Sequence, residues 1–272
     1  MPSTSTPPVG QPCWAELPTA DQEATREFYR AVLDWEYEVR RDDQGAEYTI
    51  ATLFGEPVAG LRPHEGAVRD WTLYLAVADL ATGAHQVRRF GGSVLEQPQV
   101  VPGLGAKVLV DDPSGATVGL CQPARDWNFT VGLPGSLVWA ELVTPRPTLA
   151  DRFFGAVFGY EQRQVADGVR VDHVVWYVEG ESVLARVRMN LDTAEPVPPR
   201  WIAHFAIDPD VGFDETLDRA RAAGARLRFK PYGSTLGKVV VLSDPLGTRF
   251  ALIDPSQAVD EYDSPPEDPY DD

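Results

Sequence analysis

Basic residues, sulfur and long apolar runs are all scarce in this chain. Lys and Arg number 24 against 41 Asp and Glu, for a formal net charge of −17. A surface of that sign repels phosphate, which argues against nucleic acid and anionic membranes as partners. No run of about 18 apolar residues occurs, so nothing reads as a membrane-spanning helix. The start, Met1-Pro2-Ser3-Thr4-Ser5-Thr6-Pro7-Pro8, lacks the basic and apolar regions of a signal peptide and reads as a flexible leader over 1–11. The expected location is the cytoplasm. In a reducing compartment the two cysteines, Cys13 and Cys121, read as small buried apolar residues rather than a disulfide or a catalytic thiol. No Ser–His–Asp arrangement, phosphate-cradling glycine loop, CxxC pair or dinucleotide fingerprint is visible.

What is present is a duplication. Trp14-Ala15-Glu16-Leu17-Pro18-Thr19 returns as Trp139-Ala140-Glu141-Leu142-Val143-Thr144, and Phe28–Trp35 returns as Phe153–Tyr160, both at an offset of 125 residues. At 272 residues the chain is long enough for two domains, each with its own core. Patterning within each copy gives strand, helix and three strands, twice over. Thr19 or Asp21 caps the first helix, Asp79 opens the second, and Gly91-Gly92 closes it. Strands are expected near 12–18, 35–41, 47–54, 57–62, 71–77, 93–97, 106–110 and 117–122. The second copy places them near 137–143, 160–166, 169–179, 182–189, 201–207, 225–230, 237–242 and 248–253. Turns fall at Asp42–Gly45, Asp112–Gly115 and Asp244–Gly247. The resulting division is module one over 12–122, an irregular linker over 123–136, module two over 137–255 with a Pro-rich break at Glu195–Pro199, and a tail over 256–272. Seven acids and no base from Asp260 onward make that tail a disordered acidic segment.

Four βαβββ units, Phe28-Tyr29 followed by Leu33-Asp34-Trp35, and an Asp-Pro-x-Gly turn before the last strand of each module together resemble the vicinal oxygen chelate superfamily. That superfamily includes glyoxalase I, extradiol dioxygenases and bleomycin-binding proteins. The resemblance is to its tandem glyoxalase, bleomycin-resistance or hydroxylase-like branch. It implies an α+β fold in which the units pair into two glyoxalase-like modules, each an eight-stranded sheet curled around a cavity. The superfamily's metal enzymes bind a divalent ion from the first, fourth, fifth and eighth strands of a module. By the resemblance, the first-strand positions fall on Trp14 and Trp139, the fifth-strand ones on Thr72 and Ile202, and the eighth-strand ones on Gly119 and Ala251. None can coordinate a metal, so no metal and no cofactor are expected.

Strand alternation suggests what lines the cavities instead. Trp14 and Glu16 share one face with Thr72 and Tyr74; Trp139 and Glu141 share the matching face with Ile202 and His204. Glu16 and Glu141 are candidate general bases, ligand acceptors or lone metal ligands, or else carboxylates that satisfy backbone or Arg groups. Tyr74 and His204 are their candidate catalytic partners, His204 equally a satisfied strand histidine. Trp14, Trp139 and Thr72 are candidate ligand-binding residues, and Trp71 and Trp201 either stack a ligand or fill the core. Arg62 and Arg188 are expected at matching places in the fourth strands, to hold an anionic ligand or neutralise Glu16 and Glu141. His64, His85 and His173 read as background.

Two functions are open. One is metal-independent binding of a small hydrophobic or aromatic molecule: an antibiotic, xenobiotic or secondary metabolite. The other is a lyase, isomerase or hydroxylase-type enzyme acting through Glu141 and His204 on a carbonyl or polyphenolic substrate. In a third arrangement only module two keeps a site. Monomer and homodimer are both compatible with the chain.

Overall fold

A computed structural model describes residues 7–41, 47–65, 70–101, 103–125, 127–165, 172–188 and 198–259. The expected turn at Asp42–Gly45, most of the Glu195–Pro199 break and the tail from Asp260 lie outside the described residues.

In the first module β1 (Pro12–Thr19) leads into α1 (Gln22–Leu33), then β2 (Glu36–Arg41), β3 (Glu47–Leu53) and β4 (Glu56–Pro63). The second unit is β5 (Thr72–Ala76), α2 (Leu80–Arg89), β6 (Ser93–Val94), β7 (Gln99–Val101), β8 (Gly105–Asp111) and β9 (Thr117–Pro123). Module two follows with β10 (Leu137–Thr144), α3 (Pro147–Phe158), β11 (Glu161–Gln164), β12 (His173–Val178) and β13 (Glu181–Arg188). It ends with β14 (Arg200–Ala206), α4 (Phe213–Ala222), β15 (Arg226–Leu227), β16 (Tyr232–Ser234), β17 (Gly237–Ser243) and β18 (Arg249–Asp254). The helix starts obey local chemistry. The Asp21 and Asp79 carboxylates accept from the backbone N–H of Ala24 at 3.0 Å and of Thr82 at 2.7 Å. Helix α3 has no side-chain cap and begins on Pro147, which has no N–H to satisfy.

Each sheet comes wholly from one module. The order is β2-β3-β4-β1-β5-β9-β8-β6 in the first and β11-β12-β13-β10-β14-β18-β17-β15 in the second. In both, the two central strands run antiparallel to each other and parallel to β4 or β9, or to β13 or β18. Two features depart from expectation. Each sheet gains a three-residue ninth strand, β7 or β16, hairpinned onto its neighbour; such short segments carry no periodic signal. The strands expected near 93–97 and 225–230 shrink to two residues each.

The outer, helix-bearing faces of both sheets share one continuous apolar core, in which α1 contacts α4 and α2 contacts α3. Its centre is aromatic: Trp71 lies 5.1 Å from Phe205 and Tyr29 lies 5.6 Å from Phe250, ring centre to ring centre. Trp35 adds a hydrogen bond of 2.8 Å to the Gly135 carbonyl. The inner, concave faces carry separate clusters, one per module, and it is there that the candidate residues converge.

Candidate functional site

In module one Glu16 is fully buried at the centre of the concave face. Its carboxylate accepts from Tyr48 Oη at 2.8 Å, Tyr74 Oη at 3.2 Å and Arg62 Nε at 2.9 Å, and pairs with Lys107 Nζ. Trp14 Nε1 donates to Tyr48 Oη at 2.7 Å, so the Glu16 carboxylate, both tyrosine hydroxyls and the Trp14 indole are all engaged. Burial opposes ionisation of Glu16, but Lys107 and Arg62 outweigh it and hold the carboxyl below its usual range. Burial and the neighbouring Glu16 push the Tyr48 and Tyr74 hydroxyls well above theirs. The cluster leaves no room for a ligand at its depth. A Cβ on Gly119 would stand 2.0 Å from the Tyr74 ring, and one on Gly60 would stand 2.2 Å from Tyr48 Oη, so both glycines exist to admit the two tyrosines. The far side is closed by the linker. Trp127 meets Trp14 edge-on at 4.7 Å and donates to the Cys13 carbonyl at 3.1 Å, with Phe129 beside it. Cys13 and Cys121 are free, buried thiols in this packing; burial, then the contact with Cys121, raises the Cys13 pKa well above the ordinary thiol value.

The register of the two sheets gives residue-by-residue equivalences. Trp14 opposes Tyr74 as Trp139 opposes His204, and Tyr74 pairs with Gly119 as His204 pairs with Ala251. Glu16 thus answers to Glu141, Tyr74 to His204, Tyr48 to His173 and Lys107 to Val239. Arg62 pairs with Pro18, and the matching pair is Val187 with Val143. The expected match of Arg62 with Arg188 is therefore one residue out of register, and a slip of one puts a strand side chain on the other face. Arg188 is corrected accordingly: it does not reach Glu141 but pairs with Asp172 at 3.0 Å, with a side chain 53% exposed.

Module two thus keeps the carboxylate and loses both of its cations to valines. Glu141 lies 3.4 Å from His173 Nε2 and 3.9 Å from His204 Nε2. Burial lowers both imidazoles below the ordinary histidine value despite the pull of Glu141. The His204 Nδ1 sits 3.1 Å from the Ile202 carbonyl, which makes Nδ1 the donor of the neutral ring and turns the Nε2 lone pair inward. Around these groups stand Val143, Val187, Ile202, Val239 and Val241. With Tyr48 replaced by His173, the buried Trp139 Nε1 has no hydrogen-bond partner among the described residues. An unused indole donor beside a carboxylate and two neutral imidazoles can bind a carbonyl oxygen, accept a hydroxyl proton and pass it on.

A metal does not fit these positions. Gly119 stands where an eighth-strand carboxylate would be, and the Tyr74 ring occupies the space that a side chain there would need. Trp14, Thr72, Trp139, Ile202 and Ala251 offer no ligand in the other places. Among the described residues no group of three or more His, Cys, Asp or Glu is arranged to hold an ion.

Alternation brings Glu16, Tyr74, Trp14 and Arg62 into one network, with Thr72 on the same face, and Glu141, His204 and Trp139 into another. Tyr48, Lys107 and His173, which the sequence reading did not single out as site residues, belong to these clusters. Lys107 had a signal, since a lone cation in the apolar run Ala106–Val110, alternating with Leu109, has to meet a buried acid. His85 lies in α2, and His64 lines the cleft between the modules.

The comparisons bear on the family. Residues 14–121 match the family described as a glyoxalase-like domain. The protein CFP32 of Mycobacterium bovis, provisionally named a glyoxylase, is 34% identical over 271 residues, covering 94% of this chain and 99% of that one. The chain belongs to the glyoxalase-like family. This glyoxalase-like protein is also 29% identical over 268 residues to the anthracycline biosynthesis protein DauV of Streptomyces sp. strain C5, across 92% of this chain and 94% of that one. In fold it is similar to the Mn(II)-bound glyoxalase of Novosphingobium aromaticivorans, at a TM-score of 0.64, 18% identity, 94% of this chain and 85% of that one. It is likewise similar to the 2,3-dioxygenase LapB of Pseudomonas sp. KL28, at a TM-score of 0.66, 17% identity and 96% of both chains. The glyoxalase-like protein is thus a tandem two-module member of the vicinal oxygen chelate superfamily.

Proposed function

We propose that the protein binds a small hydrophobic or aromatic molecule bearing a carbonyl and a hydroxyl, without a metal, in the concave face of module two, and that module one is its scaffold. One observation carries the reading: of two equivalent buried glutamates, Glu16 is enclosed by Lys107, Arg62, Tyr48 and Tyr74, whereas Glu141 faces two histidines with lowered pKa values, and Trp139 Nε1 has no hydrogen-bond partner among the described residues. The apolar walls suit a flat organic body, and the Trp139 indole N–H, the Glu141 carboxylate and the imidazoles suit its oxygens. Relatives named for anthracycline biosynthesis support a polycyclic aromatic ligand from secondary metabolism.

The test is binding of 1-hydroxyanthraquinone followed by tryptophan quenching, with and without chelator. Glu141→Ala is expected to weaken binding at least about tenfold, the cost of one charged hydrogen bond, while any effect of Glu16→Ala comes only through stability. Equal and negligible effects, or binding that needs an added metal, would overturn the reading. A second reading, an enzyme that moves a proton on that ligand, is favoured by the inward lone pair of His204 next to Glu141. Deuterium incorporation from solvent at the carbon next to the carbonyl of an enolisable aromatic ketone such as 1-tetralone, lost in His204→Gln, is its signature.

A further inference from the structure

Between the modules lies a cavity of about 470 Å³ that the proposed function does not use. One wall comes from the mouth of module one, with Arg62, Thr72 and Glu96; the other is the start of β14, with Pro199 and Arg200; Asp70 lies at the seam. We infer that this cleft is a second binding site, for a small aromatic carboxylate held by the guanidinium groups of Arg62 and Arg200.

Three observations support it. Arg200 forms no ion pair or side-chain hydrogen bond with any described residue, and its Nε is buried without a partner. A guanidinium nitrogen withdrawn from water in that state is costly, and a carboxylate satisfies the fork with two parallel bonds. Arg62 gives only Nε to Glu16 among the described residues, its side chain is 27% exposed, and it lines the cavity. The Thr72 hydroxyl, on the same wall, makes no side-chain hydrogen bond with any described residue either.

The acids present do not saturate these donors. Asp70 is near enough to Arg200 for their charges to interact, yet it accepts its hydrogen bond from the Arg249 backbone N–H, and burial holds its carboxyl above the ordinary value. Glu96 feels Arg62 only through space. Trp71, Trp201, Pro198 and Pro199 supply flat apolar surface, and the volume falls within the range of pockets for drug-sized ligands. Because the walls belong to different modules, an occupant would also tie the modules together.

The experiment is calorimetry on the full chain with 1-naphthoate, its neutral counterpart 1-naphthamide, and inorganic phosphate. Naphthoate is expected to bind at least about tenfold more tightly than the amide, the difference made by a charge-assisted pair. Arg200→Gln should weaken naphthoate by a similar factor, Arg200→Lys by less, and Trp139→Phe not at all. Equal binding of acid and amide, undiminished binding to Arg200→Gln, or phosphate binding as tightly as naphthoate would overturn the proposal. Loss on Trp139→Phe with Arg200→Gln unaffected would place the ligand in module two and overturn it as well.

Discussion

Two glutamates at equivalent positions have opposite electrostatic surroundings. At Glu16 the charges close on themselves, so removing one partner strands the other: Lys107→Met should destabilise by about 3–5 kcal/mol, while Glu16→Leu with Lys107→Met should recover much of that loss, in urea unfolding. In module two the pH behaviour is the checkable quantity. His173 and His204 have folded pKa values below the ordinary one. The unfolded chain therefore binds protons first as pH falls, so stability is fully present above about 6.5 and declines as pH drops from there through the folded values. Glu16, held low, adds a second loss that begins below about 4.3. Melting curves from pH 8 to 5 should show the first decline, and His173→Gln with His204→Gln should flatten it. The first-strand residues of both sites were legible because the Trp-x-Glu motif repeats and alternation fixes its face. His173 was not, since a histidine in a β-rich run looks the same whether or not a carboxylate lies across two strands from it.

At the scale of elements, strand register decides what each concave face contains. Gly119 on β9 has one task, to pass beneath the Tyr74 ring. Gly119→Ala should cost about 1–3 kcal/mol by overpacking, and combining it with Tyr74→Val should restore most of the loss; additive effects in a double-mutant cycle would contradict the clash. The same register explains the failure at Arg188. The sequence spacing matched it to Arg62, but the parallel pairing of β10 with β13 places Val187 there, and only a strand partner, which a single sequence does not reveal, could have told them apart. The helices were easier to place, because Asp21, Asp79 and the apolar periodicity mark them locally. The three-residue strands β7 and β16 were illegible for the converse reason, since they exist only by pairing with a neighbour.

At the scale of the whole molecule, the division into units was plain from the repeat, but the way the modules meet was not. Their shared aromatic core joins residues far apart in sequence, and Tyr29 Oη reaches Asp244 across it at 3.4 Å. Unfolding in guanidinium should accordingly be a single transition by both tryptophan fluorescence and circular dichroism, and a fragment ending at residue 123 should not show it; two separated transitions would mean that the modules are independent. The linkage has one more consequence. Two identical subunits around a two-fold axis must carry two identical pockets, so any change that fills one fills both. Joining the halves through residues 123–136 removes that constraint, and Val239 in the place of Lys107, with His173 in the place of Tyr48, marks where one half kept a closed interior while its sister was free to open.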